Sequence, residues 1–80
     1  MRGMSDVTPD LGAAVRITLN GEARELPPGA SVIDLLAAVG LDGRKVAVER
    51  NEEIVPRSAY GTTVLGPGDA IEIVHFIGGG

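Results

Sequence analysis

The dipeptide Asn20-Gly21 constrains the fold more than any other feature of the sequence. It follows a segment in which apolar and polar residues alternate, with apolar residues at Val15, Ile17 and Leu19. This period of two is typical of a half-buried β-strand. Asn-Gly supplies the positive φ angles that a two-residue hairpin turn requires. We therefore expect the next segment, EARELP, to run back antiparallel to the first strand.

A helix is predicted from Ser31 to about Val39, in the segment SVIDLLAAV. Ser31 can cap the first turn together with Asp34 three residues later, and Gly40 can end the helix in a left-handed conformation. The apolar residues of this segment recur at the spacing of a single helix face, namely Val32, Leu35, Leu36 and Val39. That face is expected to lie on the sheet.

The second half of the chain predicts further strands. KVAVER is interpreted as a third strand, residues 54–55 and 63–65 as short strands, and residues 58–60 as a turn of helix. The last strand, AIEIVHFI, is the longest β-branched run and is therefore placed centrally. A helix that joins a hairpin to later strands indicates an α+β roll with a mixed sheet of about four to five strands. The crossover rule places the first and last strands side by side.

Size and composition limit the classes of function. The chain has 80 residues, enough for one core, and we expect a domain at 15–77, a disordered leader at 1–14 and a flexible tail at 78–80. A net charge of −4 and only two aromatic residues, Tyr60 and Phe76, argue against nucleic acid as a partner. No segment has the apolar length of a membrane span or the pattern of a secretory signal, so we expect a cytoplasmic protein without a membrane partner.

Few residues offer chemistry of their own. The sequence has no cysteine and one histidine, so neither a thiolate metal site nor a zinc site is expected. The acidic residues Glu49, Glu52 and Glu53 are interpreted as a solvated turn that could offer an acidic rim to a basic partner. His75 is expected to be exposed at a strand end, and Asp69 to bond backbone N–H groups within its turn. No nucleotide-binding motif occurs, so we expect no cofactor of its own.

The segment IGGG places three glycines at Gly78, Gly79 and Gly80. Such a run can be a frayed end, or it can be a tail that threads into a narrow channel where a side chain would clash. The α-carboxylate of Gly80 is ionised at neutral pH and reacts poorly until it is activated. An ATP-using partner could convert it to an acyl-adenylate, which a sulfur or nitrogen nucleophile could attack.

From Val15 to Gly80 the sequence resembles the ThiS family of thiamine-biosynthesis sulfur carriers, which are ubiquitin-like β-grasp proteins. The resemblance rests on ITLNGEARELPPGASVIDLL, on VAVERNEEIVPRSAYGTTVLGPGDAIEIV and on the terminal glycines. It implies that the chain is a carrier and not an enzyme. Gly80 would be adenylated by a ThiF-type enzyme with MgATP, while Gly79 and Gly78 precede it in the tail.

The implied cycle continues with two further partners. Sulfur derived from a cysteine desulfurase would displace AMP, and the Gly80 thiocarboxylate would donate sulfur to a thiazole synthase of the ThiG type. We also expect Tyr60, Val74 and Phe76 to contribute to partner docking. Val74 and Phe76 alternate with Ile71 and Ile73, which places them on the sheet face opposite the helix. The alternative for these two residues is half-burial beneath the crossover loop.

Three other functions remain open from the sequence. A related sulfur carrier for molybdopterin or cysteine synthesis would have the same tail chemistry and another acceptor. A ubiquitin-like protein modifier would form isopeptide bonds with lysines. A plain β-grasp binding module would have an inert tail.

Overall fold

The computed structural model describes residues 13–76, which form a five-stranded mixed sheet with one helix across one face. The strand order is β2-β1-β5-β3-β4. The elements are β1 (Val15–Leu19), β2 (Glu22–Leu26), α1 (Val32–Ala38), β3 (Val46–Arg50), β4 (Glu53–Val55) and β5 (Ala70–His75). Two short 3-10 helices, at Gly43–Lys45 and Arg57–Ala59, lie in the connections. This is the predicted β-grasp roll.

The predicted hairpin is confirmed. β1 and β2 pair antiparallel from Val15 opposite Leu26 to Leu19 opposite Glu22. Asn20 and Gly21 have φ angles of 50° and 86°, the left-handed values that a two-residue turn of this kind needs. The hairpin therefore follows directly from the local sequence.

The helix is also confirmed, one residue shorter at its C-terminal end than predicted. The Ser31 hydroxyl accepts a hydrogen bond from the N–H of Asp34 at 3.3 Å, and the Asp34 carboxylate accepts one from the N–H of Ser31 at 2.9 Å. These reciprocal bonds form a capping box. Gly40, with a φ of 76°, follows the end of α1 as expected.

The last strand lies in the middle of the sheet, as predicted. β5 pairs parallel with β1 and antiparallel with β3. One predicted strand is wrong: residues 63–65 contribute only an isolated bridge between Val64 and Ser31. The reason is that Ser31 is the N-cap of α1, so the helix begins where a ladder would have to continue.

The core lies between α1 and the sheet. Its buried side chains come from every strand, from α1 and from the crossover, and are those of Ile17, Leu26, Ala30, Val32, Leu35, Leu36, Val46, Val48, Val55, Tyr60, Leu65, Ile71 and Ile73. Within residues 13–76, no helix has the length and apolar character needed to cross a membrane. The predicted leader and tail, apart from Ala13 and Ala14, lie outside the described residues.

Candidate functional site

The predicted reacting group lies beyond the last residue that the structure describes. Gly78, Gly79 and Gly80 are all outside the described range, which ends at Phe76. The structure does describe β5, which ends three residues before Gly78 in the sequence. The geometry of the candidate site is therefore that of β5 and of the residues that fix it.

On one side, Asn20 holds the second half of β5. The backbone pairing of β1 with β5 ends at Leu19 opposite Ile71. Beyond this point the side chain of Asn20 bonds β5. Its Oδ1 accepts a hydrogen bond from the N–H of Ile73 at 2.9 Å, and its Nδ2 donates one to the carbonyl of Ile73 at 3.4 Å. The residue that forms the hairpin turn thus also extends the hydrogen bonding of the sheet.

At the start of β5, Asp69 forms a partly buried polar network with the β3–β4 turn. Its carboxylate accepts hydrogen bonds from Arg50 Nε at 2.9 Å, Asn51 Nδ2 at 3.0 Å and the N–H of Gly66 at 2.8 Å. Asn51 Oδ1 in turn accepts from the N–H of Ala70 at 2.9 Å. The prediction that Asp69 bonds backbone N–H groups is confirmed, but the links to Arg50 and Asn51 were not predicted.

The charge of Asp69 is stabilised by this network. Burial raises the pKa of the Asp69 carboxyl, but the hydrogen bonds from Gly66, Asn51 and Arg50 outweigh burial, and the pKa lies below its ordinary value. Only 8% of the residue is exposed, so the ion pair with Arg50 is shielded from water on the Asp69 side. We interpret the network as a clamp that fixes where β5 begins.

The two faces of β5 differ as predicted. Ile71 and Ile73 point into the core and are 1% and 7% exposed, whereas Val74 and Phe76 are 62% and 55% exposed. More than half of each outer side chain is therefore accessible, so the crossover loop does not cover them. The expected docking role of Val74 and Phe76 stays a prediction, and the surface that it requires is present.

The expectation for Tyr60 needs correction. Tyr60 is 4% exposed and belongs to the core, and its hydroxyl donates a hydrogen bond to the carbonyl of Val46 at 3.2 Å. A side chain buried to this extent has no surface to offer a partner. We assign Tyr60 a structural role, which is to join the crossover to β3.

The remaining candidates behave as solvated groups. His75 is exposed at the end of β5, and Glu52 and Glu53 are exposed at the β3–β4 turn. No group of acidic or histidine side chains suited to a metal ion occurs within residues 13–76. A mainly apolar groove of about 350 Å³ lies between the Pro27-Pro28-Gly29 turn and α1, away from β5. Its one carboxylate, that of Asp34, is occupied in the capping box.

Known proteins resemble this chain over most of its length. Residues 17–80 match the model of the ThiS family. The sulfur carrier protein ThiS of Bacillus subtilis is 43% identical over 65 residues, covering 80% of this chain and 98% of that protein. The crystal structure of the thiamine biosynthesis protein ThiS from Geobacter metallireducens has a TM-score of 0.71 at 33% identity, covering 82% of this chain and 100% of that one.

A longer relative is similar over a part of its length. A thiazole synthase of Paramagnetospirillum magneticum is 50% identical over 66 residues, which are 82% of this chain and 20% of that protein. The chain thus spans about a fifth of the length of the first two curated relatives that it matches, both thiazole synthases.

Proposed function

The chain belongs to the ThiS family, and from this premise we propose that it is the sulfur carrier protein of thiamine biosynthesis and that Gly80 carries the sulfur. The observation that carries the proposal is that the family match reaches Gly80. In the structure, β5 is held by both neighbouring strands and by the side chain of Asn20, and in the sequence it ends three residues before Gly78. A hydrogen-bonded strand placed shortly before a run of glycines suits a group that must enter the active site of another protein.

The proposed chemistry has three steps on the Gly80 carboxylate. An oxygen of the carboxylate attacks the α-phosphorus of ATP, and pyrophosphate leaves to give the acyl-adenylate. A persulfide sulfur then attacks the carbonyl carbon, the bond to the AMP oxygen breaks, and AMP leaves with the bonding electrons to give an acyl disulfide. A thiol next attacks the outer sulfur of this acyl disulfide, so that a new disulfide forms and the acyl-bound sulfur is released with the bonding electrons. The product is a thiocarboxylate, in which sulfur is carried by the main chain.

The catalytic work in this proposal belongs to partners, so the chain acts as a co-substrate and not as an enzyme. A ThiF-type adenylyltransferase would use MgATP to activate Gly80, and sulfur would come from a cysteine desulfurase. A thiazole synthase would accept the sulfur. The similarity to a segment of a thiazole synthase supports thiazole synthase as the acceptor, in preference to the acceptors of molybdopterin or cysteine synthesis.

Reconstitution with competing acceptors tests the proposal. The full chain is incubated with a ThiF-type enzyme, MgATP and a sulfur source, and then with a thiazole synthase and its other substrates. We expect thiazole formation that depends on the carrier, and none with a chain that lacks Gly79 and Gly80. Sulfur delivery to the large subunit of molybdopterin synthase alone, or isopeptide adducts on lysines, would contradict the proposed pathway.

A further inference from the structure

Two asparagines in hairpin turns hold β5 from its two sides. Asn20 follows β1 and Asn51 follows β3, and their φ angles are both left-handed, 50° and 54°. The backbone N–H of Asn20 donates to the carbonyl of Ile71 at 2.8 Å, and that of Asn51 donates to a β5 carbonyl at the same distance. Each side-chain oxygen also accepts from a β5 N–H at 2.9 Å, from Ile73 and Ala70 respectively. The two turns thus fix β5 with matching sets of bonds.

The two turns differ in the residue that follows the asparagine. Glu52 follows Asn51, whereas Gly21 follows Asn20. Asparagine is among the thermolabile residues, and a following glycine leaves its backbone nitrogen unhindered because it has no side chain. Gly21 also has open space around it, since a Cβ at this position would meet no atom within 4 Å. Asn20 is exposed, so water can reach its side chain. The Asn20-Gly21 turn therefore combines an amide carbon, an accessible nitrogen and solvent.

We propose that Asn20 is a deamidation site, and that its hydrogen bonds to Ile73 control the rate of the reaction. The backbone nitrogen of Gly21 attacks Cγ of Asn20, its proton passes to Nδ2, and ammonia leaves with the electrons of the Cγ–Nδ2 bond. Water then opens the resulting cyclic imide. Opening at Cγ gives aspartate, and opening at the main-chain carbonyl gives isoaspartate. The net reaction consumes one water and releases one ammonia, so it needs no further reactant.

The bonds to Ile73 oppose this reaction in the folded protein. Nδ2 of Asn20 donates to the Ile73 carbonyl at 3.4 Å, and Nδ2 is the atom that leaves as ammonia. Oδ1 accepts from the Ile73 N–H at 2.9 Å, and closure of the imide ring moves this oxygen together with Cγ. Both bonds are therefore lost on the way to the imide. The rate then depends on how often the turn and β5 separate by local opening, and a β5 that stays bonded protects Asn20.

The products hold β5 less well than asparagine does. Aspartate keeps an oxygen for the Ile73 N–H, but it places a second oxygen near the Ile73 carbonyl, where the amide had a donor. Isoaspartate adds a carbon to the main chain of the turn, and the length of a hairpin turn sets the register of its two strands. Reaction at Asn20 thus weakens β5 on its β1 side, while the pairing of β5 with β3 remains. A transient local opening becomes a permanent change in the sheet.

Deamidation rates of the folded and the unfolded chain test the proposal. The full chain is kept in mildly alkaline buffer, with and without denaturing urea, and samples are digested with trypsin. Cleavage after Arg16 and Arg24 releases Asn20 in the peptide ITLNGEAR, and mass spectrometry detects the replacement of its amide NH2 by OH. We expect deamidation in urea and a reaction at least about tenfold slower in the folded chain. Tenfold corresponds to about 1.4 kcal/mol for opening the bonds to Ile73.

Asn51 is the matched control within the same chain, because it has the same turn conformation but is followed by Glu52. Its tryptic peptide, NEEIVPR, should stay unmodified in urea over the period in which Asn20 reacts.

Amide exchange at Ile73 gives a second readout, since this N–H is bonded to Asn20. In a series of urea concentrations below unfolding, exchange at Ile73 and deamidation of Asn20 should accelerate together. An intact Asn20 in urea, or equal reaction of Asn51, would overturn the site. Equal rates in the folded and unfolded chain, or deamidation while the Ile73 N–H stays protected, would overturn its control by β5.

Discussion

Asn20 binds both backbone groups of Ile73, a residue 53 positions away in the chain. The side-chain amide accepts from the Ile73 N–H at 2.9 Å and donates to the Ile73 carbonyl at 3.4 Å. Asn20 also has a φ of 50°, which favours asparagine or glycine. One residue thus sets the hairpin turn and fixes the strand that leads to the tail.

Replacing Asn20 by glycine should therefore destabilise the fold without disturbing the turn. Glycine keeps the positive φ, while Ile73 loses both side-chain hydrogen bonds. We expect the free energy of unfolding to fall by about 1–2 kcal/mol, measured by urea denaturation. Amide exchange at Ile73 should become faster. Asn20→Asp keeps the acceptor for the shorter bond and should lose less stability. An unchanged unfolding free energy for Asn20→Gly would contradict this role.

The Asp69 network predicts a loss of stability in acid. Because the folded state holds the pKa of Asp69 below its ordinary value of 3.8, the unfolded chain binds the proton more readily. The stabilisation is thus complete above about pH 5 and is lost as the pH falls through the folded pKa. Asp69→Asn should lower the Tm at about pH 7 and make the Tm less sensitive to acid. If the curves of Tm against pH run parallel for the wild type and Asp69→Asn, the Asp69 carboxylate does not contribute to the loss of stability in acid.

Tyr60→Phe tests the structural assignment of Tyr60. The variant keeps the buried ring and removes the hydroxyl that donates to the carbonyl of Val46 at 3.2 Å. The free energy of unfolding should fall by about 1–2 kcal/mol, since a buried acceptor loses its donor. The Kd for the adenylating enzyme should not change at a temperature where the variant is folded. A weaker complex with unaltered stability would restore Tyr60 as a docking residue.

Val74→Asp and Phe76→Asp test the predicted docking role of these two exposed residues at the end of β5. Each places a charge where we expect apolar contact, and the Kd for the adenylating enzyme should rise at least about tenfold. Val64→Asp is a matched control, because Val64 is also an exposed valine, 53% against 62% for Val74, and lies in the crossover. Circular dichroism confirms that each variant is folded. Equal affinities of folded Val74→Asp and Val64→Asp would contradict docking through Val74.

Local signals in the sequence predicted most of the fold. Asn20-Gly21 specifies its turn through backbone conformation alone, and Ser31 with Asp34 marks the helix start through bonds within a few residues. The β-branched run of β5 indicated its central place. The Asp69 network could not be predicted in this way, because Arg50 lies 19 positions from Asp69 in the sequence and meets it only in the folded sheet.

The errors have a similar cause. The residues around Tyr60 show no helical or strand periodicity that would predict its burial. Whether a single aromatic side chain is buried depends on how the crossover packs on the core, and the neighbouring residues do not determine this packing. The segment ERNEE predicts a solvated turn, and this is confirmed for Glu52 and Glu53, which are exposed. Glu49 lies in β3, as the predicted strand KVAVER implies, but its position opposite Glu72 could not be predicted because it requires the strand register.

The mass of the C-terminal peptide tests the central claim most directly. The full chain is treated with a ThiF-type adenylyltransferase, MgATP and a sulfur source, then digested, and the peptide that ends in Gly80 is weighed. We predict a gain equal to the difference between a sulfur and an oxygen atom, confined to this peptide and dependent on ATP. A peptide of unchanged mass, with no adenylate trapped when sulfur is withheld, would contradict the assignment of Gly80 as the sulfur-carrying residue.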